Sequence, residues 1–270
     1  MKRLIRLMFV CLALGYGALA CAQAVVMEVR GAAFIQMWNN PEEPLLPGQK
    51  VPTGALVRTA LNSMLVLGFP DRQVCVLGEI STFRIVDYRY ENGQADKGQV
   101  SLNLINGSLR IAVGEIGTVN PGAIRVQIGI ATLGVLPSSD NKRTDASVVV
   151  LGGPVSVTVQ EGRAVVLSPS GQPQQLDAGQ GLFLGTDGSV RRGNAGQLAA
   201  LLGQSADGKE ILKQMASLQG TTDTIQQTVI TLASLLPTDE VLAAPALGTQ
   251  TTAGTAGTGS GGGGNIASPN

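Results

Sequence analysis

The sequence predicts an all-β fold. It reads as a mainly antiparallel β sandwich or roll of about a dozen short strands, followed by two or three short helices and a disordered tail. Three observations predict it. Apolar residues fill every second position in short runs from Val25 to about Val190. Turn signals separate those runs at roughly 8–12-residue intervals. No long helical period interrupts them, so the crossovers that a parallel sheet needs are missing.

The chain opens with the basic segment Met1-Lys2-Arg3-Leu4-Ile5-Arg6, then an apolar run of 13 residues from Leu7 to Leu19. Small-residue cleavage sites follow at Ala18-Leu19-Ala20 and Ala22-Gln23-Ala24. This order is that of a secretory signal peptide, and the run is short for a membrane span. Residues 1–24 are therefore expected to be removed, with the rest periplasmic or secreted. Cys21 leaves a second product open, a lipid anchor at that cysteine. The usual lipobox has Leu three residues before the Cys and a small residue next. Here Ala18 and Leu19 interchange those types, which favours soluble release after Ala24. No later stretch reaches ~18 consecutive apolar residues, so no second membrane segment is expected.

Composition narrows the function. Without Lys2, Arg3 and Arg6 the 19 basic residues fall to 16 against 19 acidic ones, a net of −3. That balance does not favour a nucleic-acid partner, which needs cations for phosphates. With no His, the chain cannot run Ser-His-Asp or Cys-His chemistry or offer imidazole to zinc. Five Phe, three Tyr and one Trp argue against a long stacking platform. The mature chain keeps one cysteine, Cys75, inside the apolar run Gln73-Val74-Cys75-Val76-Leu77. It reads as a buried, inert thiol.

Among the strands, Ile124, Val126, Ile128 and Ile130 alternate with Arg125, Gln127 and Gly129. Leu109, Ile111 and Val113 repeat the pattern, as do Val155, Val157 and Val159. Each strand should therefore have one apolar and one wet face. Asn106-Gly107 between two such runs predicts a two-residue hairpin turn, and Glu161-Gly162 separates two further strands in the same way. Asn106-Gly107-Ser108 also matches a glycosylation acceptor formally, but reads as the turn alone.

Beyond Arg192 the period changes. Leu198, Leu201 and Leu202 form one helical stripe. Asp207 and Glu210 have capping-box spacing before Ile211, Leu212, Met215 and Leu218, and Gly220 ends that segment. Thr222 or Asp223 caps a last helix whose face carries Ile225, Val229, Leu232 and Leu236, closed by Pro237. These stripes either pack on the β domain or form a homo-oligomer or partner-docking face. The Thr/Ala/Gly/Ser composition after about Pro245 predicts a flexible tail. The expected organisation is thus 1–24 signal, 25–192 β domain, 193–244 helices and 245–270 tail.

One stretch carries more than a generic pattern. It runs from Leu46-Pro47-Gly48 through Val51-Pro52-Thr53-Gly54 and Val57-Arg58-Thr59 to Asn62-Ser63, then Asp71–Leu77. Ser81-Thr82-Phe83, Asp87-Tyr88-Arg89-Tyr90, Leu104–Arg110, Gly162 and Ala178-Gly179-Gln180 continue it. In order and spacing these segments resemble the FecR-type domain of exported bacterial proteins, over about residues 25–190. The resemblance implies a non-enzymatic, Gram-negative envelope module. Two segments depart from it. Asp71-Arg72-Gln73 stands where the family has Asp-Gly-Ser, and Leu136-Pro137-Ser138 where it has Arg-Gly-Thr. The cytoplasmic segment and internal transmembrane helix of its sigma-regulating members are missing, so an anti-sigma role is not implied.

Residues that carry chemistry elsewhere read as scaffold. Ser139 and Lys142 have Ser-x-x-Lys spacing but lie between strands, without the helix that would align them. Gly179-Gln180-Gly181 lacks the strand-to-helix context of a phosphate loop. Asp71, Glu79, Asp87, Asp96 and Glu115 are scattered carboxylates with solvated faces as the default, although two could meet across strands. No catalytic, cofactor-binding or metal-ligating residue is assigned. The expected function is an exported, non-enzymatic module for protein interaction or ligand sensing, with an unidentified protein or envelope ligand. The alternatives are an assembly component of an envelope complex and a secreted polysaccharide hydrolase using a carboxylate pair.

Overall fold

A computed structural model describes residues 23–91, 93–137, 143–169 and 171–235. The leader, the Ser139–Lys142 pair, Pro237 and the tail lie outside the described residues. The first strands are β1 (Ala24–Arg30), β2 (Ala33–Gln36), β3 (Glu43–Pro44), β4 (Lys50–Val51), β5 (Leu56–Thr59) and β6 (Met64–Gly68). Then come β7 (Val74–Leu77), β8 (Thr82–Arg89), β9 (Gln99–Ala112), β10 (Ile124–Ile128), β11 (Ala131–Val135) and β12 (Asp145–Val150). β13 (Val155–Glu161), β14 (Arg163–Leu167), β15 (Pro173–Asp177), β16 (Gln180–Leu184) and β17 (Val190–Asn194) follow. A short helix α1 (Glu115–Val119) follows β9, and α2 (Ala195–Leu202), α3 (Ala206–Gln219) and α4 (Thr222–Leu235) come last.

The strands form two layers that share β9. The first has the order β4-β1-β6-β7-β9-β12-β13-β16-β17. The second has the order β3-β2-β5-β8-β9-β10-β11-β14-β15. Every described pairing is antiparallel except β9 with β10. One core fills the space between the layers. Leu65, Leu67, Cys75, Leu77 and Leu109 from the first meet Phe83, Ile85, Leu102, Leu104 and Val126 from the second. The Phe69 ring lies 5.0 Å from that of Tyr88, tilted by 53°.

Asn106-Gly107 is not a hairpin turn. β9 continues through it, pairing with β8 and β10 before it and with β7 and β12 after it. Gly107, at φ +94°, bends one strand from layer to layer. A Cβ there would collide with the backbone of Ser81. Ser81 Oγ accepts the Ser108 N–H at 3.0 Å and donates to Gly78 O at 2.9 Å. Glu161-Gly162 does the same job. β13 belongs to the first layer and β14 to the second, and they do not pair with each other. Gly162, at φ +75°, would place a Cβ 2.8 Å from Thr144 Cα. The positive-φ signal in both dipeptides is real. What it specifies is a corner, because close contact with a neighbouring chain leaves no room for a side chain.

The alternation holds in the second layer, where Ile124, Val126 and Ile128 are buried and Arg125 and Gln127 exposed. It fails in the first, where Val74 to Leu77 are all buried. α3 and α4 cover that layer's outer face. Leu218, Ile225 and Leu232 pack on Val66, Val74, Val76 and Ala112, while Leu202, Ile211 and Met215 pack on Val149. The helical stripes are thus used within the chain. Continuous apolar runs such as Val74–Leu77 are the mark of strands covered on both faces.

The caps differ in detail from the expected ones. Asn194 accepts the Gln197 N–H while Gln197 returns a bond to the Asn194 N–H, a full capping box on α2. α3 is capped by Ser205, whose Oγ accepts the Gly208 N–H at 3.0 Å, leaving Asp207 inside the first turn. The α4 helix includes both Thr222 and Asp223, so neither precedes it as a cap.

Gly107→Ala combines an unfavourable left-handed backbone with a steric clash, and should destabilise the fold by about 2–4 kcal/mol. Urea unfolding checks this, with the midpoint falling and the slope unchanged. A shift below ~0.5 kcal/mol would mean the corner tolerates a side chain.

Candidate functional site

One side chain ties the junction of α3 and α4 to the sandwich. Arg110 lies on β9, on the outer face of the first layer, and is 3% exposed. Its Nε and Nη2 donate to Asp145 Oδ1 and Oδ2 at 2.9 and 2.7 Å, a bidentate pair across to β12. Its Nη1 donates to the Leu218 and Gln219 carbonyls at 3.0 and 3.3 Å and to Thr222 Oγ1 at 3.0 Å. Carbonyls at a helix C-terminus have no partner within the helix and carry partial negative charge. A planar guanidinium can satisfy them and a carboxylate together, which an ammonium cannot. Sequence patterning missed Arg110, because alternation marks it only as a wet-face residue.

A second tie joins α3 to the loops at one end of the sandwich. Lys213 Nζ donates to Glu79 Oε1 at 2.9 Å, and Glu79 Oε2 accepts the Asn62 N–H at 2.8 Å. Lys213 and the Asn62 amide hold the Glu79 carboxyl below its usual range. Between these ties lies a cleft of about 450 Å³. Arg30, Asn62, Ser63, Met64, Glu79 and Ser108 line its sandwich side, and Lys213, Gln214, Ser217, Gly220 and Thr221 its helix side. Gln214 is 3% exposed, and its Oε1 has no hydrogen-bond partner.

The loops at the cleft mouth are strained. Asn62 has φ +55° and Ile80 φ +50°. A β-branched residue in that region is a genuine outlier. Both turns are pinned, since Ile80 N donates to Ala60 O at 3.1 Å and Asn106 Nδ2 donates to Ile80 O at 3.2 Å. They hold Leu61 and Ile80 in solvent, 62% and 51% exposed. Ile105, the unpaired residue of a bulge between Leu104 and Asn106, is also exposed at this end. Trp38, at φ +52°, is exposed too, but follows the opposite end of β2. A second cleft of about 410 Å³ lies beside Arg110, lined by residues including Arg143, Glu161, Ile225, Val229 and Ile230.

Of the scattered carboxylates, Asp96 and Asp87 lie near the surface, with Asp87 paired to Arg89 at 2.8 Å. Glu115 pairs with Arg72 at 3.3 Å and accepts the Tyr90 O–H at 2.7 Å. Asp71 contradicts the solvated default, because it is fully buried. Its Oδ1 accepts from Tyr88 Oη at 2.9 Å and from Gln73 N at 3.2 Å, while Oδ2 has no partner. Burial pushes its pKa up from 3.8 to about 6, with Tyr88 and the Gln73 amide opposing and Glu115 adding to the rise. Cys75 is fully buried, and burial pushes its thiol far above the usual range. Gly179-Gln180-Gly181 lies at the turn into β16, as a strand-to-strand connection.

No family model matches the chain, and no curated protein matches it. Two crystal structures of a candidate anti-sigma factor from Parabacteroides distasonis, at 2.50 and 1.65 Å resolution, resemble it in part. The first has 15% identity and a TM-score of 0.40, covering 52% of this chain and 59% of that one. The second has 14% identity and a TM-score of 0.41, covering 56% and 65%. The chain thus spans about six-tenths of the length of these structures.

The Asp71 carboxyl predicts a pH effect of definite sign. Its folded-state pKa is raised, so its contribution to stability is full below pH 3.8 and disappears as pH rises through about 6. A two-unit rise corresponds to ~3 kcal/mol. Asp71→Asn should remove that loss, giving a curve of unfolding free energy against pH that falls less than the wild type's between pH 4 and 7. Parallel curves would show that Asp71 is ordinary in the folded state.

Proposed function

We propose that the chain is an exported, non-enzymatic module of the FecR type that binds a protein or envelope ligand at the α3 end of the sandwich. Export rests on the leader-like order of residues 1–24, and the FecR type on the segments from Leu46 to Gln180. The observation that carries the binding reading is the pair of left-handed, non-glycine turns at Asn62 and Ile80. They hold the Leu61 and Ile80 side chains in solvent, on the two loops whose Asn62 and Glu79 line a cleft. Such backbone costs about 1–3 kcal/mol per residue and persists where surrounding contacts enforce it, often where a ligand is held.

The position of Asp71 supports a non-enzymatic role. Among the described residues it is the carboxylate whose pKa burial raises, and Glu115 lies close enough to add to that rise. A general acid must reach its substrate. With no exposed surface, Asp71 is sealed from any substrate, and its bonds are those of a turn anchor.

The test compares capture from the envelope fraction of the producing cells by the immobilised mature chain and by surface variants. Ile80→Asp and Ser217→Arg should each lower the captured species at least tenfold by quantitative mass spectrometry, whereas Trp38→Ala should leave it unchanged. Equal capture by all of them would remove this end of the molecule from the function. The mass of the mature N-terminus should correspond to a start at Val25. A start at Cys21 with added acyl mass would replace soluble export by a lipid anchor.

A further inference from the structure

The turn between β6 and β7 meets the short helix α1 through Asp71. The Asp71 carbonyl accepts the Glu115 N–H at 2.8 Å. The Asp71 carboxyl lies against Gly114, where a Cβ would collide with Oδ2. Three consecutive residues of this turn each carry a buried polar atom without a hydrogen-bond partner, namely Asp71 Oδ2, Arg72 Nε and Gln73 Oε1. A buried carboxylate with one oxygen unmet is unfavourable, and the neutral acid is far less so.

The groups around the carboxyl do not reverse that preference. Tyr88 of β8 donates to it at 2.9 Å, and the Gln73 and Ile116 amides also favour the charged form. Glu115 of α1 opposes that form, and it engages Arg72 at 3.3 Å. Arg143, ahead of β12, feels the Asp71 charge. Burial pushes Tyr88, Tyr90 and Cys75 up, so all three stay neutral near pH 6. Burial of Asp71 outweighs these neighbours and raises its pKa to about 6. With no His in the chain, the side chain that ordinarily titrates there is missing.

The helix on the other side of this contact is weakly held. α1 has five residues, and Gly114 at its N-cap offers no side-chain bond. Besides the Asp71 carbonyl, its ties are Tyr90 Oη to Glu115 Oε2 at 2.7 Å, the Arg72 pair, and Asn120 Nδ2 to Asp96 O at 3.1 Å. Ile116 is its fully buried side chain.

We propose that Asp71 is a pH-sensitive latch: protonated, it keeps α1 on the β6–β7 turn, and ionised, it favours a local opening in which α1 lifts and water reaches the carboxylate. The device needs neither export nor a ligand to operate. A carboxyl that titrates at 3.8 when open and at about 6 when closed makes opening roughly tenfold more favourable at pH 7.5 than at pH 5.

Residue-resolved hydrogen exchange on the chain at those two pH values, corrected for intrinsic exchange rates, tests the latch. The hydrogen-bonded amides of Glu115, Thr118 and Asn120 should lose about tenfold in protection as the pH rises, while those of β12 and β13 keep theirs. Asp71→Asn should abolish the loss. Tyr88→Phe removes a donor that favours the charged form, so its loss should continue above the pH at which the wild type's levels off. The latch is overturned if α1 has equal protection at both pH values, if it loses protection only in step with β12 and β13, or if Asp71→Asn loses as much. Should Asp71→Asn not fold, a Tyr88→Phe profile identical to the wild type's overturns it.

Discussion

One guanidinium group joins three segments that are far apart in sequence. Arg110 bonds Asp145 on the neighbouring strand and the carbonyls where α3 gives way to α4. It is nearly inaccessible to water, so its charge is tolerable only with every partner in place. Removing Asp145 leaves a buried charge without its counter-ion, while the Leu218 and Gln219 carbonyls also accept from Thr221 and Thr222. The alignment of α3 on the first layer therefore depends on this residue, and with it the shape of the cleft between α3 and the loops. Apolar packing of Ile211, Met215 and Leu218 supplies adhesion. Such packing is not directional, and the guanidinium supplies the register.

The polar groups of this molecule fall into two kinds of strain. At the Asp71 turn, a buried carboxylate is held by Tyr88 and the Gln73 amide, and Arg72 sits at φ +64° beside it. Arg72 holds a left-handed backbone that a glycine would adopt freely, so the turn carries a conformational cost. The Asp71 carboxyl faces inward, while the Arg72 side chain reaches out to pair with Glu115 at 3.3 Å. At Asn62 and Ile80 the same backbone conformation accompanies the exposed aliphatic side chains of Leu61 and Ile80. The first stabilises a corner of the scaffold, whereas the second shapes a surface.

Much of the architecture was legible in the sequence because it follows from period alone. Alternation in Ile124–Ile128 gives a strand with one wet face, and Leu198 to Leu232 give helical stripes. Local signals were less decisive. Asn106-Gly107 announces positive φ, but whether the chain then reverses or crosses to the other layer depends on Ser81, which is 27 residues away at the bond it makes. The unbroken run Val74–Leu77 and the Asn194-x-x-Gln197 spacing were signals that the reading of one wet face per strand, and of the later caps, passed over. The candidate site was hardest to read. Asn62, Ile80, Gln214 and Arg110 belong to different elements, and none carries a motif. Their meeting is a product of tertiary packing, which a single sequence without internal repeats does not spell out.

Hydrogen exchange on an Arg110→Lys variant examines the anchoring role most directly. Lysine keeps the charge but cannot serve the carboxylate and the helix carbonyls together. If the guanidinium sets α3 on the sheet, amides from Ile211 to Leu218 should exchange roughly 100-fold faster, while those of β7, β9 and β12 keep their protection. Unchanged protection in α3, or its loss only together with the whole sandwich, would show that apolar packing alone holds the helix in place.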